Sequence, residues 1–207
     1  MCMNEEVHNQ LMGIKRSFRL WMNGPGSQSM RDKGLDYKIN WGVPLIELKR
    51  MAAEYGKNYE LAIELWKEDI RECKILAMLI MPAERMDEEL VDVWMESVHN
   101  QELAELLAFN LLQNVKHAPA IAYQWIASES VIRQICGYSI LSRLFMKGQE
   151  PNERGINEFL DQAITALQQK ENVGLKHAAA NCIQRFAQLG IVYERMAKSA
   201  TKGLIEL

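Results

Sequence analysis

No basic excess marks this chain. Its 24 Lys and Arg stand against 27 Asp and Glu, a formal net charge of −3. The surface as a whole therefore does not attract a polyanion, and any nucleic-acid site must be a local basic face. Long apolar runs are also missing. The longest, Ile75 to Met81, falls far short of the roughly 20 residues a membrane span needs. The start, Met1-Cys2-Met3-Asn4-Glu5-Glu6, lacks the positive charge and apolar stretch of a secretory signal, so a cytoplasmic protein without a membrane segment is expected. Cysteine is scarce. The four residues at 2, 73, 136 and 182 form no C-x-x-C pair and no zinc-ligand spacing with histidine, which points to buried or free thiols in a reducing compartment. His8, His99, His117 and His177 show no metal spacing, and no Ser or Cys stands in a nucleophile motif. No metal, cofactor or covalent catalysis is expected. Gly24-Pro25-Gly26-Ser27 lacks the following Lys-Ser or Lys-Thr of a phosphate-binding loop and reads as a turn.

What the chain has in abundance is Leu, Ala, Glu, Met, Lys and Gln in helical periodicity. Val7, Leu11, Ile14, Phe18 and Trp21 fall on one helical stripe that ends at Gly24. Residues 27–42 are polar and mixed and read as a loop with a short helical turn before Gly42. A second amphipathic pattern opens at Pro44, runs through Leu45, Leu48, Ala52 and Tyr55, and stops at Gly56. Three stretches then repeat one plan: a helix closing on Trp66, Trp94 or Trp125, a polar break, and a second, largely apolar helix. Equivalent positions in the second helices are Arg71, Glu102 and Arg133, a constant spacing of 31. A fourth, Lys176, lies 43 residues further on, after the Gly148 to Gly155 loop. Repeats of this length built only from helix pairs mark an alpha-solenoid. The expected fold is all-α, an alpha-alpha superhelix of HEAT-like antiparallel helix pairs. It would form one domain over 1–207: amino-terminal helices at 1–56, four helix-pair repeats at 57–190 and a capping helix at 191–207.

The run Gly42-Val43-Pro44-Leu45-Ile46-Glu47-Leu48-Lys49, then Leu65-Trp66 and Ile70-Arg71-Glu72-Cys73-Lys74, resembles the AlkD-type DNA alkylation-repair family from about residue 40 to the end. The resemblance implies a curved stack of HEAT-like repeats that cradles duplex DNA on a basic concave face. It also implies, in active members, a DNA glycosylase that hydrolyses the N-glycosidic bond of cationic alkylpurines. Those members carry Trp-Trp-Asp-Thr-Val-Asp after the first helix of a central repeat. The matching stretch here is Trp94-Met95-Glu96-Ser97-Val98-His99. In the family the second tryptophan offers an electron-rich face to the cationic nucleotide, and the last aspartate stabilises positive charge growing on the sugar. Met95 and His99 occupy those places. A family arginine matches Arg133, and a later family tryptophan falls on Asn181. On a continuous helix Glu96 stands about 300° round from His99, so it cannot replace the missing aspartate without a displaced backbone.

Read without the family, the second helices begin with Arg71, Glu102, Arg133 and Lys176, behind caps expected at Asp69, Asn100 and Ser130. A cation in the first turn opposes the helix dipole, at a cost of about 0.3–1 kcal/mol, so stability alone does not select it. One reading projects Arg71, Lys74, Arg133, Lys176 and His177 onto the inner curve to meet phosphates. The other pairs them with acidic neighbours on a solvated face, as Glu68, Asp69 and Glu72 could pair with Arg71. Trp66, Trp94 and Trp125 have the spacing of packing residues. Trp41 between Asn40 and Gly42, and Trp94 by its family position, are the aromatics to consider for a groove. Two functional readings follow: a divergent duplex-DNA-binding repair protein with altered or lost excision, and a non-enzymatic helical scaffold for a protein partner, which the net negative charge favours.

Overall fold

The computed structural model describes residues 4–206, so the Met1-Cys2-Met3 start lies outside it. Among the described residues there are twelve α-helices and three 3₁₀ turns, and one isolated parallel bridge, Ile39 with Ile70. No described helix is long and apolar enough to cross a membrane. The chain divides into two compact units, one ending at Trp94 and the other beginning at Met95.

The first unit holds α1 (Glu5–Ser17), α2 (Gly24–Asp32), α3 (Leu45–Tyr55), α4 (Tyr59–Lys67), α5 (Arg71–Ile80) and most of α6 (Glu88–Glu96). Helix α1 packs on α4, α3 on α5, and α4 on α5, so the amino-terminal helices stack as a helix pair would. Val7, Leu11, Ile14 and Phe18 are buried as their spacing predicts. Trp21 departs from that stripe. The helix tightens into a 3₁₀ turn over Phe18–Leu20, and the changed rotation per residue carries Trp21 outward to 38% exposure.

The expected turn at Gly24 is the start of α2 instead. Asn23 caps it by accepting from the Gly26 amide at 2.9 Å, and Pro25 sits in the first turn, where its missing N–H costs nothing. The helix was unreadable as a period because Ser27 is its only buried residue. Gly42 closes the following loop with φ 70°, and a Cβ there would lie 2.2 Å from the Asn23 carbonyl oxygen. Only glycine fits. Helix α3 begins after Pro44 and ends at Gly56, φ 62°, as expected.

A buried carboxylate ties these parts together. Glu72, fully buried in the first turn of α5, accepts from the Trp41 and Val43 amides, both at 3.2 Å, and pairs with Arg71 at 3.4 Å. Arg71 in turn donates to the Val43 carbonyl at 3.2 Å, and its amide to Ile39 at 3.0 Å. Charge can stay inside because the carboxylate meets both a guanidinium and two backbone amides of the loop.

The second unit contains α7 (Gln101–Asn110), α8 (Ala118–Ile126), α9 (Val131–Met146), α10 (Glu153–Gln168), α11 (Val173–Ala187) and α12 (Ile191–Thr201). Its helices lie in two rows, α7 with α9 and α11, and α8 with α10 and α12, with α8 on α9 and α10 on α11. That layering is the HEAT-like repeat expected from the sequence. Phe145, Phe159 and Phe186 meet with ring centroids 5.3–5.6 Å apart, and Tyr193 adds to Phe186 at 5.2 Å. This aromatic cluster locks α9 to α12 together. Gly137 allows α8 and α9 to touch: a Cβ there would sit 2.9 Å from the Ala122 carbonyl and 3.0 Å from the Ile126 amide.

Three stability changes follow. Glu72→Ala deprives the buried Arg71 of its carboxylate and should lower unfolding free energy by about 3–5 kcal/mol in urea titrations. Gly137→Ala should cost about 1–3 kcal/mol by overpacking. The same substitution at Gly13 in α1, where nothing lies within 4 Å, should instead stabilise by about 0.5–1 kcal/mol through helix propensity.

Candidate functional site

The repeat positions that looked equivalent do not point the same way. The N-cap residues of the second helices are Ile70, Asn100, Ser130 and Asn172. Arg71, Glu102, Arg133 and Lys176 are therefore the first, second, third and fourth residues of their helices. Each step turns the side chain by about 100°. The expected cap Asp69 is also displaced, because Ile70 is held in extended geometry by its bridge to Ile39.

Arg71 and Lys74, expected to project toward phosphates, are interior residues, 3% and 7% exposed. Arg71 is spent on Glu72 and Val43, inside the protein rather than on a solvated face. The Lys74 ammonium donates to the Trp66 carbonyl at 2.7 Å and lies 4.6 Å from the centre of the Trp66 ring. Burial pulls its pKa down. It neutralises the carboxyl end of α4, where a cation is favoured. Trp94, considered for a groove, is also interior. Its ring stacks on Trp66 at 4.1 Å with the planes 4° apart, and it is 1% exposed. The packing reading of Trp66, Trp94 and Trp125 holds, for all three are buried. Trp41 is half-buried, with the Arg19 guanidinium 6.0 Å from its ring centre.

In the second unit three family-equivalent positions do come together. Met95, Glu96, Val98 and His99 face Ser130, Ile132 and Arg133 across an open cleft of about 360 Å³. Helix α6 stops at Glu96, and the Val98 amide donates to the Met95 carbonyl at 3.1 Å in a turn. Because the chain leaves the helix there, the 300° separation expected between Glu96 and His99 does not apply. Both are exposed and line one cleft. Met95 is 3% exposed and supplies an apolar wall without an aromatic face. Arg133 is half-buried, its guanidinium 5.5 Å from the centre of the Trp125 ring. Ser130 caps α9 by accepting from the Arg133 amide at 3.4 Å.

The other expected residues lie on α11. Lys176 is half-buried, and His177 and Asn181 are exposed one turn apart. Asn181 does not line the cleft. The first turns of α7 and α11 meet closely, since a Cβ on Gly174 would lie 2.3 Å from the Gln101 side-chain oxygen. Two helix amino termini, with their partial positive charge, thus share an edge with Lys176.

Burial pushes the Cys73 thiol up to about 12, and raises those of Cys136 and Cys182 well above the ordinary range, so none ionises near neutrality. The cleft's ionisable groups are one carboxylate, one imidazole and one guanidinium, with the Ser130 hydroxyl beside them. Sequence reasoning set Glu96 aside by assuming a continuous helix, and the signal against that assumption was the polar Ser97, His99 and Asn100 that follow α6.

Comparison with known proteins agrees with this architecture. A family model described as DNA alkylation repair enzyme matches residues 27–188. A solved structure described as a new family related to the HEAT-like repeat DNA glycosylases, with affinity for branched DNA structures, superposes with a TM-score of 0.82. The two are 19% identical, and the match covers 94% of this chain and 83% of that one. At that identity the likeness is one of fold. No curated protein matches in sequence. With the family model spanning α2 to α11, the chain belongs to the DNA alkylation repair enzyme family.

Proposed function

We propose that this protein binds DNA through the second unit, with the cleft between the end of α6 and the start of α9 meeting the strand. The observation that carries this reading is the arrangement around Arg133, a guanidinium held half-buried on Trp125 beside the capped first turn of α9. A guanidinium on an aromatic face at the positive end of a helix suits a phosphate. Lys176 and His177, near the meeting point of α7 and α11, extend the same chemistry. Family membership supports DNA as the partner, and duplex DNA is the form the family resemblance implies.

Excision is a separate matter. Breaking the glycosidic bond of an alkylated purine needs negative charge beside the developing sugar cation. His99 stands where the family aspartate would be, and a buried Met95 replaces the aromatic face. Glu96 is the sole carboxylate in the cleft. It is exposed, and a solvated charge stabilises a transition state less than a dry one. We therefore assign DNA binding as the retained property, with efficient excision lost.

Binding to a blunt duplex should weaken steeply with salt, and Arg133→Gln should lower affinity by about ten- to a hundredfold, as expected for a charged hydrogen bond of about 1.5–3 kcal/mol. It should also reduce the salt slope by about 0.9. A flat salt response would instead favour the scaffold reading, which the net charge of −3 also suits. Incubated at stoichiometric protein with alkylated duplex, the chain should release methylpurine no faster than buffer. Release above buffer that Glu96→Gln removes would establish an active site built on Glu96.

A further inference from the structure

The first unit carries an exposed aromatic and basic surface that the cleft does not explain. Phe18 is fully buried and anchors the end of α1, after which Leu20, Trp21 and Met22 stand in a row at 80%, 38% and 56% exposure. Three consecutive large apolar side chains facing water are unusual on a soluble surface. They are not alone. The Arg50 guanidinium lies 4.4 Å from the centre of the Trp21 ring, and the Arg19 guanidinium 6.0 Å from that of Trp41. The two stacks are joined by a backbone hydrogen bond, the Asn23 amide to the Trp41 carbonyl at 2.9 Å. The Trp41 amide is itself fixed by Glu72, so the surface is built on a rigid loop.

Charge favours an anionic occupant. Residues 12–50 contain eight Lys and Arg and three Asp and Glu, within a chain whose net charge is negative. One of those acids, Glu47, pairs with Arg50 at 2.9 Å, and Lys15 pairs with Glu68 outside the segment at 2.8 Å, which still leaves an excess of positive charge. Local basic charge interleaved with exposed aromatic and apolar side chains suits a strand that offers base faces as well as phosphates. A paired duplex hides its base faces in the stack, whereas unpaired nucleotides present them.

We propose that Trp21, flanked by Leu20 and Met22 and backed by Arg50, with Arg19 and Trp41 beside it, is a contact for unpaired nucleotides of single-stranded DNA. The inference rests on the reading that the protein binds DNA, and adds a second contact, in the first unit, with a different specificity. One face of the Trp21 ring is covered by Arg50, and its remaining exposed surface is available to a base, while Arg19 meets the adjoining phosphates.

Binding of a short oligothymidylate, followed by quenching of tryptophan fluorescence, tests this beside a blunt duplex of equal length measured by competition. Wild-type protein should bind both. Trp21→Ala should weaken oligothymidylate binding roughly tenfold, leave duplex binding unchanged and keep the helical circular dichroism of the wild type. Arg50→Gln removes an exposed side chain and carries the same test should Trp21→Ala not fold. Variants that bind oligothymidylate as tightly as wild type would overturn the proposal, as would a wild type that binds duplex alone. A wild type that binds neither would overturn this proposal together with the DNA-binding reading, so the two failures are distinguishable.

Discussion

The first unit is organised by the need to satisfy one buried carboxylate. Glu72 has no water to turn to, so its oxygens must find donors within the protein. They take the amides of Trp41 and Val43. That choice draws residues 39–43 against α5, sets the start of α3 two residues later, and forces Gly42 against the carbonyl of Asn23. It also fixes where the α2 cap can lie. Arg71 is interior for the same reason, as counter-charge to Glu72 and donor to the same loop. A group that in isolation looks like a surface cation is part of the interior wiring.

The helix pairs were legible in the sequence because apolar period and turn residues are local properties. Gly56 ends α3, Asn100 and Ser130 cap α7 and α9, and the spacing of Trp66, Trp94 and Trp125 marks three first helices whose tryptophans are all buried. Helix α2 was not legible, since an exposed helix of nine residues with one buried serine writes no apolar stripe. The direction of the basic residues was hidden too. A 31-residue repeat in sequence, combined with helix caps 30 residues apart at Ile70, Asn100 and Ser130, shifts each matched side chain by one helical position. That is enough to send Arg71 inward and leave Arg133 at the cleft.

The cleft of the second unit brings together side chains of quite different character. Met95, His99 and Arg133 line one opening, yet one is apolar and one is an imidazole. Helix α6 ends at Glu96, which brings a carboxylate to the opening beside His99. Whether that carboxylate shares the cleft depends on where a helix stops, and helix ends are set by backbone partners that a linear pattern does not record. Asn181, by contrast, stands on α11 outside this opening, so the four family-equivalent positions do not line one pocket.

The face-to-face pair of Trp66 and Trp94 has a consequence of another kind. Two indole rings 4.1 Å apart and within 4° of parallel have transition dipoles close enough to couple. Their near-ultraviolet circular dichroism should therefore belong to the pair and not to either ring. The coupled signal exists only while the end of α4 and the end of α6 remain in register. Since Met95 and Glu96 follow Trp94 directly, the ground-state optics of the protein report on the helix that delivers the cleft's first wall.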